Sequence, residues 1–153
     1  MEDNYYYTTQ VEWTGERHGD LSAPVLPSLK VDAPPEFKGH EGVWTPEHLF
    51  VASVNSCFMT TFLAIAENSK LEFESFRADA KGKLEKIADK GFMMTEITLQ
   101  PKLVIRNARD AERASRILEK AEKHCLISNS IKTRTWLEPD IRLAVTEAAR
   151  QLC

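Results

Sequence analysis

The longest apolar pattern in the chain runs from Thr45 to Glu67. Leu49, Phe50, Ala52, Val54, Cys57, Phe58, Met59, Phe62, Leu63, Ile65 and Ala66 leave no charged face along it, which predicts a helix buried on all sides. Thr45 suits the N-cap, Pro46 the first helical position, where no N–H is needed, and Glu47 the positive end of the helix dipole. At roughly 22 residues the segment reaches the length of a membrane span. Ser53, Asn55, Ser56, Thr60 and Thr61 interrupt it, however, and the flanking sequence reads as soluble strands, so a core helix is expected.

Strict alternation marks the strands. Tyr5, Tyr7, Thr9, Val11 and Trp13 alternate with polar neighbours over residues 5–13, predicting a half-buried strand, followed by a loop over residues 14–20. A short strand is expected from Val25 to Val31, broken at Pro27, and then a Pro/Gly loop from Asp32 to Trp44. After the helix, Phe76, Ala78, Ala80, Gly82 and Leu84 alternate with charged residues. Thr95, Ile97, Leu99, Pro101, Leu103 and Ile105 do the same beyond a turn at residues 89–91, predicting a long antiparallel hairpin with one dry face.

Asn107 is placed to cap a second, amphipathic helix whose stripe Ala111, Ala114, Ile117 or Leu118, Ala121 and Cys125 faces the core. A last strand over residues 131–143 carries Pro139, and a short helical or frayed tail is expected from Val145 to Cys153. The order of elements gives an α+β fold, with helices on one face of an antiparallel sheet, in a single domain over residues 1–153. A helix apolar all round has more surface than a monomer of this size can hide, so an obligate homodimer is expected.

Composition alters this picture little. A net charge of −3 gives no electrostatic case for nucleic acid or an anionic membrane. The acidic start lacks the apolar core of a signal peptide, and three cysteines form no CxxC pair. A reducing cytoplasm is therefore the expected location.

The chemical candidates are few. Cys57 and Cys125 both project from helices toward the core. They are either small core hydrophobes or a thiol pair able to bridge if their Cα atoms come within about 7 Å. Cys153 is terminal and is given no role. Arg17 and Glu47 are either a solvated loop arginine and a helix-dipole glutamate or members of a site. His18, His40, His48 and His124 show no ligand spacing, so neither a metal nor a cofactor is expected.

The segment Pro46-Glu-His-Leu-Phe-Val-Ala-Ser-Val-Asn-Ser-Cys57-Phe58, with His124-Cys125-Leu-Ile-Ser-Asn-Ser130, resembles the paired cysteine motifs of the OsmC/Ohr family of osmotically inducible and organic hydroperoxide resistance proteins. The resemblance spans nearly the whole chain and implies an intertwined α+β homodimer. It further implies a thiol peroxidase that reduces organic hydroperoxides to alcohols, with two sites at the subunit interface. By that resemblance Cys57 is the peroxidatic cysteine, Cys125 the resolving one, and Glu47 and Arg17 the active-site glutamate and arginine. An external dithiol of lipoyl type is the implied reductant. Leu126 stands where many hydroperoxide resistance members have proline, and the loop Pro34-Pro-Glu-Phe-Lys-Gly39 resembles the broader OsmC-like branch.

On this reading Arg17 must lower the pKa of a thiol that burial would raise, and Glu47 would hold the guanidinium. Ten residues of helix separate Glu47 from Cys57, about 15 Å along the axis, so Glu47 could serve only the partner subunit's Cys57. The alternative is a non-catalytic stress or binding protein whose apolar pocket takes a small hydrophobic ligand.

Overall fold

The computed structural model describes residues 3–152. The chain divides into two compact units, one up to Phe50 and one from Val51 onward.

The first unit is a three-stranded antiparallel sheet in the order β1 (Gln10–Gly15), β2 (His18–Ser22), β3 (Leu29–Asp32). The strand expected over residues 5–13 begins only at Gln10, and Val11 and Trp13 stay exposed, so its predicted dry face is not covered within one chain. Most of the loop expected over residues 14–20 is strand. Gly15 (φ +135°) and Glu16 (φ 45°) reverse the chain tightly enough for β2 to begin pairing at His18. The strand expected over residues 25–31 reduces to β3, because Pro27 and a left-handed Val25 (φ 57°) precede it.

The β2–β3 register sets His18 opposite Asp32 and Asp20 opposite Lys30. Beyond β3 a 3-10 turn at Pro35–Phe37 sends the loop back on itself. There Gly39 passes so close to Ala33 that a Cβ would lie 1.5 Å from the Ala33 carbonyl oxygen. Only glycine allows that crossing, which returns His40 to Asp32.

Helix α1 (Pro46–Asn68) starts as expected, with the Thr45 hydroxyl accepting the His48 N–H at 3.1 Å. The all-round burial expected of it does not occur within one chain. Val54, Phe58, Phe62 and Ala66 form one buried stripe at four-residue steps, whereas Met59 and Leu63 are about 40% exposed on another side. The helix is long and apolar enough to cross a membrane by length and composition alone. Its stripe packs on a sheet, however. Phe62 stacks on Phe76 with ring centroids 4.6 Å apart, Phe58 lies against the same ring, and the Asn55 amide donates to the Ala78 carbonyl at 2.9 Å. Gly82 makes room for it, since a Cβ there would lie 2.4 Å from a Val51 methyl.

The hairpin is longer than the alternation alone required. β4 (Phe73–Ile87) pairs antiparallel with β5 (Gly91–Ile105), and Ile97, Leu99, Pro101, Leu103 and Ile105 form its buried face. Helix α2 (Ala111–His124) buries Ala114, Ile117, Leu118 and Ala121. A 3-10 turn at Ala108–Asp110 precedes it, so the side-chain cap expected from Asn107 does not form.

The final strand is two strands. β6 (Arg134–Leu137) and β7 (Asp140–Leu143) each pair parallel with successive stretches of β5, and Pro139 lies in the break between them. The sheet is therefore mixed rather than wholly antiparallel. A short helix, α3 (Glu147–Arg150), follows, and Cys153 lies outside the described residues.

Candidate active site

Two elements of the second unit bring the sulfurs together. Cys57 sits one position before Phe58 of the buried stripe, so its side chain leaves α1 at the edge of the core and remains partly accessible. Cys125 is the residue at which α2 ends. It continues the four-residue step from Ala121, but its backbone turns extended (φ −66°, ψ 109°), and its side chain is fully buried. The Cys125 thiol lies 3.9 Å from the Val54 carbonyl, one turn before Cys57, close enough to Cys57 for each sulfur to shift the other's pKa. Both cysteines are free thiols.

The pair is electrostatically unequal. Burial pushes the Cys57 thiol up, but the N–H of Ile127, the Cys125 thiol, Thr61 and the N–H of Leu126 act against it. Together they hold Cys57 below the ordinary cysteine value. Thr61 has one hydroxyl proton, and its 2.8 Å bond to the Cys57 carbonyl leaves the 4.0 Å contact with the sulfur secondary. Of the groups that lower the pKa, the Ile127 amide has the largest effect and the Leu126 amide the smallest. Cys125 shifts the other way: burial raises its pKa, and the neighbouring Cys57 adds to this, against the N–H and hydroxyl of Ser128.

Those amides exist because of how α2 stops. After the extended Cys125 the chain bends through Leu126 and Ile127 into a 3-10 turn at Ser128–Ser130. Ser128 Oγ and the Asn129 N–H both bond to the Cys125 carbonyl, at 3.0 and 3.1 Å. The bend is thereby fixed and turns two N–H groups to the Cys57 sulfur. Sequence reasoning assigned the lowering of this pKa to Arg17 and missed the amides, which carry no side-chain signature.

Arg17 lies exposed on the β1–β2 turn. Glu47 lies in the first turn of α1, and its Oε2 is buried without a hydrogen-bond partner. The chain does not pair the two with each other.

A second cluster, also missed, lies in the first unit. Glu16, His18 and His40 each offer a ligand atom, all within 4.8 Å of one another, the one such group of His, Cys, Asp or Glu among the described residues. Beside it Asp32, 2% exposed, accepts the Ala33 N–H at 2.7 Å and the His40 N–H at 3.2 Å. It also holds His40 Nδ1 at 2.8 Å. A cavity of about 230 Å³ lined by Thr14, His18, Asp20, Lys30, Asp32 and His40 adjoins them. Glu16 and His18 are two residues apart, but Asp32 and His40 join them only through the β2–β3 register and the crossing at Gly39, neither of which shows as a motif.

Residues 39–140 match the family model described as OsmC-like protein. The chain belongs to the OsmC-like family. A curated relative, the uncharacterized protein YmaD of Bacillus subtilis, is 25% identical over 144 residues, covering 90% of this chain and 93% of the relative. Among solved structures, an OsmC-like protein of unknown function from Vibrio cholerae has a TM-score of 0.81 at 23% identity, covering 89% of this chain and 99% of that one. An organic hydroperoxide resistance protein from Legionella pneumophila has a TM-score of 0.73 at 24% identity, covering 92% and 99%. One from Elizabethkingia anophelis has a TM-score of 0.72 at 22% identity, covering 94% and 100%. The fold is that of OsmC-like proteins, and some relatives by fold are hydroperoxide resistance proteins.

Proposed function

We propose that this OsmC-like protein is a two-cysteine thiol peroxidase that reduces organic hydroperoxides to alcohols. The observation that carries the reading is a pair of unequal thiols that influence each other: one partly accessible with its pKa lowered, the other buried with its pKa raised. The thiolate is the nucleophile, so the first is suited to attack and the second to wait as a thiol.

In the first step the Cys57 thiolate attacks the terminal peroxide oxygen and the O–O bond breaks. The alkoxide takes a proton and leaves as the alcohol, with Cys57 as a sulfenic acid. Cys125 then condenses with it, forming the disulfide and releasing water, which keeps Cys57 from further oxidation. An external dithiol, of lipoyl type by family likeness, exchanges with the disulfide and leaves as its own disulfide, restoring both thiols. Phe58 and Met59, next along α1, give the nucleophile apolar neighbours, which suits alkyl and fatty-acid hydroperoxides better than hydrogen peroxide. Two thiols that must be reduced in each cycle fit the cytoplasm.

The working form is a homodimer. The exposed Met59 and Leu63 give α1 an apolar surface to cover, and the unpaired, buried Glu47 Oε2 needs a cation. In the dimer Glu47 holds an Arg17 guanidinium beside the partner subunit's Cys57, adding to what the amides of residues 126 and 127 supply.

The test is consumption of tert-butyl or cumene hydroperoxide with a dithiol. Wild type should turn over and Cys57→Ser should not; equal rates would end the enzyme reading. Cys125→Ser should consume about one equivalent of peroxide per chain to reach the sulfenic acid and a second to reach the sulfinic acid, which accumulates and is visible by mass spectrometry. The exposure of Arg17 within one chain is what favours a second reading, a non-catalytic binder of a small hydrophobic ligand on the same fold. Binding of an alkyl ligand that survives Cys57→Ser, with no peroxide turnover, would support it.

A further inference from the structure

The cluster on the first unit poses a problem of charge. Asp32 is buried with both oxygens accepting hydrogen bonds, and it faces His40 Nδ1 at 2.8 Å. A carboxylate only accepts, so Nδ1 carries the proton, and the lone pair of a neutral His40 is on Nε2. That atom stands 3.2 Å from Glu16 Oε2, which is also only an acceptor. Two lone pairs at that separation repel, so something positive belongs between them: a proton on Nε2 or a metal ion.

Two features favour the ion. With metal–ligand bonds of about 2.1 Å, adjacent donors sit roughly 3.0–3.4 Å apart, depending on geometry, and 3.2 Å falls in that interval. A proton on Nε2 would account for the approach of His40 to Glu16; His18 brings a third donor atom within 4.8 Å of both, with its Nδ1 3.8 Å from the Asp32 oxygen that holds His40. Histidine held by a buried carboxylate through one nitrogen, with the other turned to an open position, is the arrangement in which an outer carboxylate orients a metal ligand.

We propose that Glu16, His18 and His40 bind one borderline divalent cation of the Zn²⁺ class, with Asp32 as the positioning residue behind His40. Water completes the coordination on the exposed side. Arg17 lies between two of the ligands, so the ion would also fix the turn that carries it. The site is independent of the thiol chemistry and stands or falls without it.

The experiment is Zn²⁺ calorimetry and Co²⁺ absorption on the full chain carrying no affinity tag, with its thiols reduced. One ion per chain is expected, with weak ligand-field bands and no thiolate charge-transfer band in the Co²⁺ spectrum. His18→Ala, His40→Ala and Asp32→Asn should each weaken binding about tenfold or more. Glu16→Gln, on an exposed turn where folding is not at stake, should weaken it as well. The proposal is overturned if no ion is taken up or if His18→Ala binds as wild type does. It is equally overturned by a thiolate band that disappears in Cys57→Ser, which would send the ion to the cysteines.

Discussion

At the scale of single residues, Leu126 acts on Cys57 through its backbone rather than its side chain. Its N–H is one of the donors that hold Cys57 below the ordinary thiol value, and only a residue other than proline has that proton to give. Leu126→Pro should therefore raise the pKa of Cys57, while Leu126→Ala should leave it in place. The extended Cys125 (ψ 109°) is compatible with a following proline, so the comparison does not require the bend to be rebuilt. The readout is the pH profile of Cys57 alkylation, followed on its own peptide by mass spectrometry. In wild type the midpoint should lie below that of an ordinary cysteine, with Cys125 reacting only at higher pH. A proline variant with an unchanged profile would remove the amides from the account.

Elements show where sequence is a good guide and where it is not. The β4–β5 hairpin was legible because period-two alternation fixes both the element and its buried face, from Ile97 to Ile105. Helix α1 was legible at its start because Thr45 and Pro46 are local signals, but its burial was overstated, since composition cannot say whether cover comes from the same chain. The parallel pairing of β6 and β7 was not legible, because pairing with β5 is a long-range choice that no turn announces. The thiol pair was suggested by two helical stripes aimed at one core. The amides that tune it were invisible, since every residue but proline has one.

The buried stripe of α1 gives a prediction at this scale. Phe62 is fully buried between the rings of Phe73 and Phe76. Phe62→Ala should cost about 3–5 kcal/mol, measured by urea denaturation, while Thr60→Ala on the exposed side should stay within about 0.5 kcal/mol. Comparable losses in the two would mean that the stripe is misassigned.

For the whole molecule the question is how many chains make one working unit. Met59 and Leu63 are not covered within the chain, and Glu47 buries an oxygen with no partner. The proposed dimer over α1 would answer both. Leu63→Glu should give a monomer by sedimentation and lose most peroxidase activity, with secondary structure retained by circular dichroism. A monomeric variant with full activity would separate assembly from catalysis and return Glu47 and Arg17 to ordinary surface roles.

The bend after Cys125 has one more consequence. Because the N–H groups of Leu126 and Ile127 are aimed at the Cys57 sulfur, the peptide units there register its charge as a solvent-separated group would not. Their nuclear resonances should move when the sulfur gains or loses its proton and move again when it is tied to its neighbour. Two backbone signals could then follow a single atom through the proposed redox cycle, with no reagent ever touching it.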